Sequence, residues 1–154
     1  MENRLEILRI EMDKLIMASQ HPRYYFSHLY CVSHFCTLLA IRRKLNVELA
    51  TTCGMLHDIA RVNGSCGDHA LQGAKEAEEL LRSINLYDDD EIKTIATAIS
   101  RHGHKKTTHE PYDELLKDAD VMSHCLYNDD FFVSEWEIER YEQILAELGC
   151  SPAL

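Results

Sequence analysis

The feature that most constrains the fold of this chain is a helical spacing of apolar residues that recurs over nearly all of its 154 residues. In residues 2–19, for example, Leu5, Leu8, Met12, Leu15 and Ile16 lie on one stripe of a helix. No segment alternates apolar and polar residues convincingly, as a half-buried strand does. The pattern therefore predicts an all-α fold, a compact bundle of about six or seven helices.

Start and stop signals divide the chain into these helices. Asp68 is suited to cap a helix over 69–83, acidic residues 88–91 begin the next helix, and Ser134 with Glu137 forms a capping-box pattern. Further helices are expected over 26–44, 47–60 and 112–127, and a polar, histidine-rich loop over 101–110. Because no linker or repeat interrupts the pattern, we expect one domain over 1–154, with helices 2–19 and 134–149 as flanking elements.

The charge balance limits the partners of the chain. A net charge of −10 argues against broad nucleic-acid or anionic-membrane binding, which needs a basic surface. No apolar stretch approaches the roughly 20 residues that span a bilayer, and the acidic, amphipathic N-terminus does not resemble a signal peptide. The six cysteines form no CxxC pair, so we expect free thiols in a reducing cytoplasm.

A His57-Asp58 pair ends an apolar run and is the most informative polar feature. An imidazole and a carboxylate at the end of a buried segment must be paired or bound to a positive charge. A divalent metal meets this requirement, although a structural ion-pair network would meet it too. Further histidines and aspartates, most of them at or near predicted helix ends, could face the same cavity: these are His28, His69, His102, Asp118 and, within a predicted helix, Asp120.

The order His, His-Asp, Asp resembles the HD-domain superfamily of metal-dependent phosphohydrolases, over about residues 26–127. The first histidine of the family is typically followed by an apolar residue four positions on, an alanine twelve positions on and the His-Asp pair some 29 positions on. Counted from His28, these positions hold Val32, Ala40 and His57. Later blocks of the family resemble the segments around His69, His102 and Asp120.

The resemblance implies the ligands of one or two divalent transition metals (Mn, Fe, Co, Ni or Zn). Members with only the shorter set bind one ion, here with His28, His57, Asp58 and Asp120; His69 and His102 stand where the additional ligands of a second ion are expected. Asp118 stays an alternative to Asp120, either as a supporting group or as the ligand. His69 could instead be only a helix-start residue, and His102 a loop residue that contacts substrate phosphate.

The resemblance also decides between two histidines of the second predicted helix. At about 100° per residue, Val32 lies near the direction of His28, whereas His34 points about 120° away. We therefore expect His34 to be a satisfied or surface histidine. His21, His109 and His124 are expected at the surface, or at a helix end in the case of His124.

The activity implied by the resemblance is hydrolysis of a small nucleotide or other phosphate ester by a metal-activated water. Asp58 would hold or bridge the metals, and Arg61 would clamp phosphate, unless it is only a solvated charge at a helix end. Lys105 and Lys106 could form a phosphate-attracting rim or be solvated. Phe131, Phe132 and Trp136 could close the pocket or merely pack.

Two other functions stay open at this point. A few relatives use the two-metal ligand set as di-iron oxygenases, and a non-catalytic, metal-stabilised ligand-binding module is a third possibility. Substrate and oligomeric state are not predicted by the sequence.

Overall fold

The computed structural model describes residues 3–127 and 133–150, and every regular element within them is an α-helix. The helices are α1 (Arg4–Ala18), α2 (Pro22–Arg43), α3 (Val47–Leu56), α4 (Ile59–Val62), α5 (His69–Ile84), α6 (Asp89–Arg101), α7 (Pro111–Tyr127) and α8 (Glu135–Glu147). The predicted all-α fold is confirmed: seven of these helices are long, and α4 is a single turn. Within the described ranges, no helix is long and apolar enough to cross a membrane.

Helix α2 lies at the centre and packs against α1, α3 and α7, while α5 packs against α4 and α6. The core between them is apolar and fully buried, and includes Leu29, Val32, Leu56, Ile99 and Leu116. Helix α8 packs mainly on α7. The C-terminal ends of α3 and α6 meet near His28 of α2 and Asp120 of α7.

The helix starts follow the local signals. The Asp68 carboxylate accepts hydrogen bonds from the backbone N–H groups of Ala70 and Leu71. Asp88 and Glu91 form a capping box at the start of α6, and the predicted Ser134–Glu137 capping box is present at α8. The Asp68 and Ser134 caps depend on residues two or three positions apart, which is why the sequence predicts them.

The prediction of one helix over 47–60 is wrong. Helix α3 ends at Leu56, and Asp58 has φ −110° and ψ 21°, outside the helical region. The Asp58 carbonyl then accepts from the N–H groups of Arg61 and Val62 and starts α4. This break turns the carboxylate of Asp58 and the ring of His57 toward the same cavity.

Helices α2 and α3 approach each other closely at Gly54. A Cβ atom at this position would lie 2.7 Å from the Cα of Ser33 and 3.0 Å from the Sγ of Cys36. Because only glycine permits this distance, the close contact fixes His57, three residues later, against His28 on α2.

Candidate metal centre

The six predicted ligands come from five parts of the fold and meet at one cavity. His28 lies in α2, His57 and Asp58 at the break after α3, His69 at the start of α5, His102 at the end of α6 and Asp120 in α7. All except His69 are buried. They form two groups whose ligand atoms lie within 4.8 Å of one another.

The first group consists of His28, His57 and Asp120. The Nε2 atoms of the two histidines are 3.1 Å apart. Asp120 Oδ1 lies 3.4 Å from Nε2 of His28 and 3.6 Å from Nε2 of His57. Two imidazole nitrogens and one carboxylate oxygen thus converge on a point at the floor of the cavity.

The second group consists of Asp58, His69 and His102. Asp58 Oδ1 lies 3.8 Å from Nε2 of His69 and 3.7 Å from Nε2 of His102. The other oxygen of the same carboxylate, Oδ2, lies 3.7 Å from Nε2 of His28 and 3.8 Å from Nε2 of His57. Asp58 therefore faces both groups, with one oxygen toward each.

Backbone carbonyls fix the orientation of two rings. His57 Nδ1 is 2.8 Å from the carbonyl of Gly54, and His102 Nδ1 is 2.7 Å from the carbonyl of Ile99. A carbonyl only accepts, so each Nδ1 carries a proton and each ring directs its Nε2 atom into the cavity. His28 Nδ1 contacts the Ser123 hydroxyl at 3.0 Å, which holds its Nε2 in the same direction.

Burial and charge set the protonation of the histidines. Burial, assisted by the charge of His57, lowers the pKa of His28 and of His102 to about 4. Burial also acts to lower the pKa of His57, but the carboxylates of Asp58 and Asp120 outweigh it and raise that pKa. Neutral His28 and His102 are therefore available as ligands over the whole physiological pH range.

The carboxylates remain ionised despite their burial. Burial would raise the pKa of Asp58, but His57, His102 and His28 together lower it. Burial opposes ionisation of Asp120 as well, yet the charges of Lys105 and His57 hold its pKa well below the usual range.

The donor set fits a divalent metal. Asp58 Oδ1 and Asp120 Oδ1 are buried and have no hydrogen-bond partner among the described residues. Each faces histidine Nε2 atoms, and a bound cation would satisfy the carboxylate oxygens and the nitrogens together. Mixed imidazole and carboxylate ligands suit Mn²⁺, Fe²⁺, Co²⁺, Ni²⁺ or Zn²⁺.

Asp118, the alternative to Asp120, lies outside this cluster. Its Oδ2 accepts from Arg43 at 2.6 Å and its Oδ1 from Arg140 at 2.6 Å. Both oxygens are thus used by arginines that link α7 to α2 and α8. Asp120, two residues later, points to the histidines.

His124 is at a helix end, as one of the two predictions has it, but it also contacts the proposed ligands. It lies in the last turn of α7, its ring stacks on His28 with centroids 5.5 Å apart, and its Nε2 is 3.3 Å from Asp120 Oδ1. Nδ1 is 2.9 Å from Oε1 of Glu137 in the first turn of α8. Its spacing of four residues after Asp120 was the available signal, because such residues share a helix face.

Lys105 is also part of the site rather than solvated. Its ammonium donates to Asp120 Oδ2, and the side chain is 8% exposed. Lys106 is exposed, as expected for a solvated charge. The two neighbouring lysines are alike in sequence and differ only in the direction that the loop gives them.

The metal groups open into a cavity of about 450 Å³, called here the metal cavity. Arg61 lies at its mouth with a half-exposed side chain, 3.4 Å from Asp58 Oδ1. Tyr24, which stacks on His28, and Trp136 add aromatic walls. His34 is exposed on α2, and Phe131 and Phe132 lie outside the described residues.

Comparison with known proteins identifies the family and a solved structure with the same fold. The family model described as HD domain matches residues 25–124. The crystal structure of a predicted HD superfamily hydrolase from an uncultured Thermotogales bacterium has the same fold, with a TM-score of 0.63 and 22% identity. The similarity covers 96% of this chain and 96% of that chain.

Proposed function

This chain belongs to the HD-domain family, and we propose that it is a metal-dependent hydrolase that acts on a small nucleotide or other phosphate ester. The reaction joins a water oxygen to phosphorus, breaks the ester P–O bond and returns a proton to the leaving oxygen. The proposed ligands are His28, His57, Asp58 and Asp120, with His69 and His102 for a second ion.

The observation that carries this proposal is the position of Asp58. One oxygen of its carboxylate faces His28 and His57, and the other faces His69 and His102. A carboxylate that faces two sets of imidazole nitrogens could offer a ligand oxygen to an ion in either set. It supports a two-ion centre over a centre with only the first group.

A bound divalent metal would supply a water of lowered pKa and a positive charge for a phosphoryl oxygen. The chain itself supplies the geometry. The carbonyls of Gly54 and Ile99 keep the Nε2 atoms of His57 and His102 directed into the cavity. Such supporting hydrogen bonds typically change metal affinity or activity by about 10–100-fold when they are lost.

Arg61 is the proposed clamp for substrate phosphate at the mouth of the metal cavity. Its guanidinium lies near Asp58 and within 3.3 Å of His69 Nδ1, and Tyr25 donates a hydrogen bond to its backbone carbonyl. A guanidinium can bind two phosphate oxygens at once. The cavity volume of about 450 Å³ suits a small ligand.

Metal content and turnover test the proposal together. Protein purified without added metal is assayed by elemental analysis, then loaded with Mn²⁺ or Co²⁺ and incubated with a panel of phosphomonoesters and phosphodiesters. We expect close to two ions per chain and release of phosphate or of the alcohol. Verified loading without any turnover would contradict the hydrolase, and two irons with substrate-dependent O₂ consumption would indicate an oxygenase instead.

Matched variants separate the site from the scaffold. Asp58→Asn removes the carboxylate charge at nearly constant size, so we expect metal content to fall below one ion per chain and turnover to be lost. Asp89→Asn is the control: it removes an exposed carboxylate of α6 that pairs with Arg82 of α5 and does not line the metal cavity. We expect its metal content and turnover to be unchanged.

A further inference from the structure

Lys105 is a buried cation at the junction of two cavities. Lys105 and Trp136 line the metal cavity and also a second cavity of about 520 Å³. Arg140 lines the second cavity. Of the described residues around the metal cavity, only Arg61 and Lys105 carry a permanent positive charge. Arg61 lies at Asp58 with half of its side chain exposed, whereas Lys105 lies at Asp120 and is nearly buried.

The loop that carries Lys105 is held in place by polar groups of α7 and α8. Arg140 donates to the Lys105 carbonyl at 2.7 Å. The fully buried Lys117 donates to the Thr107 carbonyl at 2.7 Å and to Glu114 at 2.7 Å, and it contacts His109 at 2.6 Å. The backbone of Lys105 and the loop that follows it are therefore held by α7 and α8.

The ammonium group has unused hydrogen-bonding capacity. Asp120 Oδ2 is its only partner within residues 3–127 and 133–150, and an ammonium has three donors. Asp120 Oδ1, the oxygen that faces the histidines, is not engaged by Lys105. Lys105 can thus donate to a ligand in the cavity without displacing Asp120 from the proposed metal centre.

We infer that Lys105 binds a non-bridging oxygen of the substrate phosphoryl group, on the Asp120 side of the cavity, while Arg61 binds at the Asp58 side. This inference rests on the proposed hydrolase function. A phosphoryl group that enters the cavity meets two buried carboxylates, and a fixed cation beside Asp120 offsets their repulsion. Lys105 is then a substrate-positioning residue in addition to a partner of Asp120.

The test uses metal-saturated protein with inorganic phosphate as the probe, in isothermal titration calorimetry. Lys105→Gln keeps a donor for Asp120 but removes the charge, Lys105→Arg restores the charge, and Lys75→Gln removes an exposed lysine of α5 as the matched control. Metal affinity is measured separately for each variant without phosphate, and thermal melts verify folding.

We expect Lys105→Gln to weaken phosphate binding by about tenfold or more, the size of a charge-assisted hydrogen bond. Lys105→Arg should recover most of the affinity, and Lys75→Gln should match the unsubstituted protein. On any phosphate ester that the protein hydrolyses, KM should rise by a similar factor in Lys105→Gln, with a smaller change in kcat.

Two results would overturn the inference. If Lys105→Gln, saturated with metal, binds phosphate within about twofold of the control, Lys105 only supports Asp120, while continued hydrolysis by the unsubstituted protein would leave the proposed function standing. If the unsubstituted, metal-loaded protein neither binds phosphate nor hydrolyses an ester, the proposed function fails and the role of Lys105 fails with it.

Discussion

Asp118 and Asp120 are two positions apart on α7, yet their surroundings are opposite. Asp118 is held between Arg43 and Arg140. Asp120 has one buried oxygen without a partner among the described residues, and this oxygen faces His28 and His57. The neighbouring helices present arginines to Asp118 and histidines to Asp120. This difference makes the first aspartate part of an ion pair and the second a candidate ligand.

Replacing each aspartate separates these two roles. Asp120→Asn should lower the affinity for Mn²⁺ by at least about 100-fold, because a ligand is removed rather than a group that supports it. Asp118→Asn should leave that affinity within a few-fold but lower the free energy of unfolding by about 1–3 kcal/mol, because two partly buried arginines lose a shared partner. Calorimetric metal titration and urea unfolding measure the two effects. Equal losses of metal affinity in both variants would contradict the assignment.

The burial of His102 predicts a pH dependence of stability. Its pKa is lowered to about 4 in the folded protein from an ordinary value of 6.5. Between these values the unfolded chain binds a proton that the folded chain does not, so this histidine makes the protein less stable as the pH falls from 6.5 toward 4. At higher pH the contribution vanishes.

Urea unfolding in the presence of a chelator, at pH 7.5 and 5.5, checks this sign. The unsubstituted protein should lose about 1 kcal/mol more than His102→Gln over this interval. Asp58 and Asp120 act in a separate window, because their lowered pKa values give stability that is lost only at more acidic pH. A pH dependence that is identical in the two proteins would show that His102 is not buried as a neutral ring.

At the scale of helices, the contact between α2 and α3 positions the centre. Gly54 allows the two backbones to approach, and its carbonyl also accepts the hydrogen bond from His57 Nδ1. The same residue therefore determines the distance between His28 and His57 and the direction of the His57 ring. The break at Asp58 adds to this by ending α3 at the point where a continued helix would turn the carboxylate elsewhere.

Gly54→Ala should destabilise the protein by about 1–3 kcal/mol, although alanine is the better helix former, because its Cβ would collide with the backbone of α2. Metal affinity should fall in parallel as His57 is displaced. Gly67→Ala is the control, since nothing lies within 4 Å of a Cβ there. Urea unfolding and metal titration measure both effects. A Gly54→Ala variant as stable as the control would mean that the helices are not in close contact.

At the scale of the whole molecule, the proposed ligands join helices that are otherwise separate. Five helices contribute a histidine or an aspartate, namely α2 (His28), α3 (His57), α5 (His69), α6 (His102) and α7 (Asp120). Lys105 adds a contact from the loop before α7, and His124 contacts Glu137 of α8. A metal that binds this set links most of the fold. It also relieves the repulsion between the ionised, buried Asp58 and Asp120.

Metal binding should therefore raise thermal stability. At a metal concentration about 100 times Kd the free energy of unfolding rises by about 2.7 kcal/mol per site, which corresponds to roughly 5–10 °C in Tm for a chain of this size. Differential scanning fluorimetry with Mn²⁺ or Co²⁺ against chelator measures the shift. His57→Gln should abolish most of it, and an equal shift in that variant would place the ion elsewhere.

The sequence by itself determined the parts that depend on near neighbours. Apolar spacing along each helix and the caps at Asp68 and Ser134 are readable because turns and caps join residues a few positions apart. The order of His28, His57-Asp58 and Asp120 was readable only through its resemblance to a family pattern. His34 was distinguished from His28 by the same local geometry, and it is exposed.

Only the tertiary structure decided which side chains face one another across helices. It ended α3 at Leu56, directed Asp118 to two arginines, turned Lys105 but not Lys106 onto Asp120, and brought His124 beside His28. These contacts join residues far apart in the chain, so they depend on how helices cross and on how one loop is held. The physical reason is that periodicity gives the face of a helix, whereas the partner of that face is set by long-range packing.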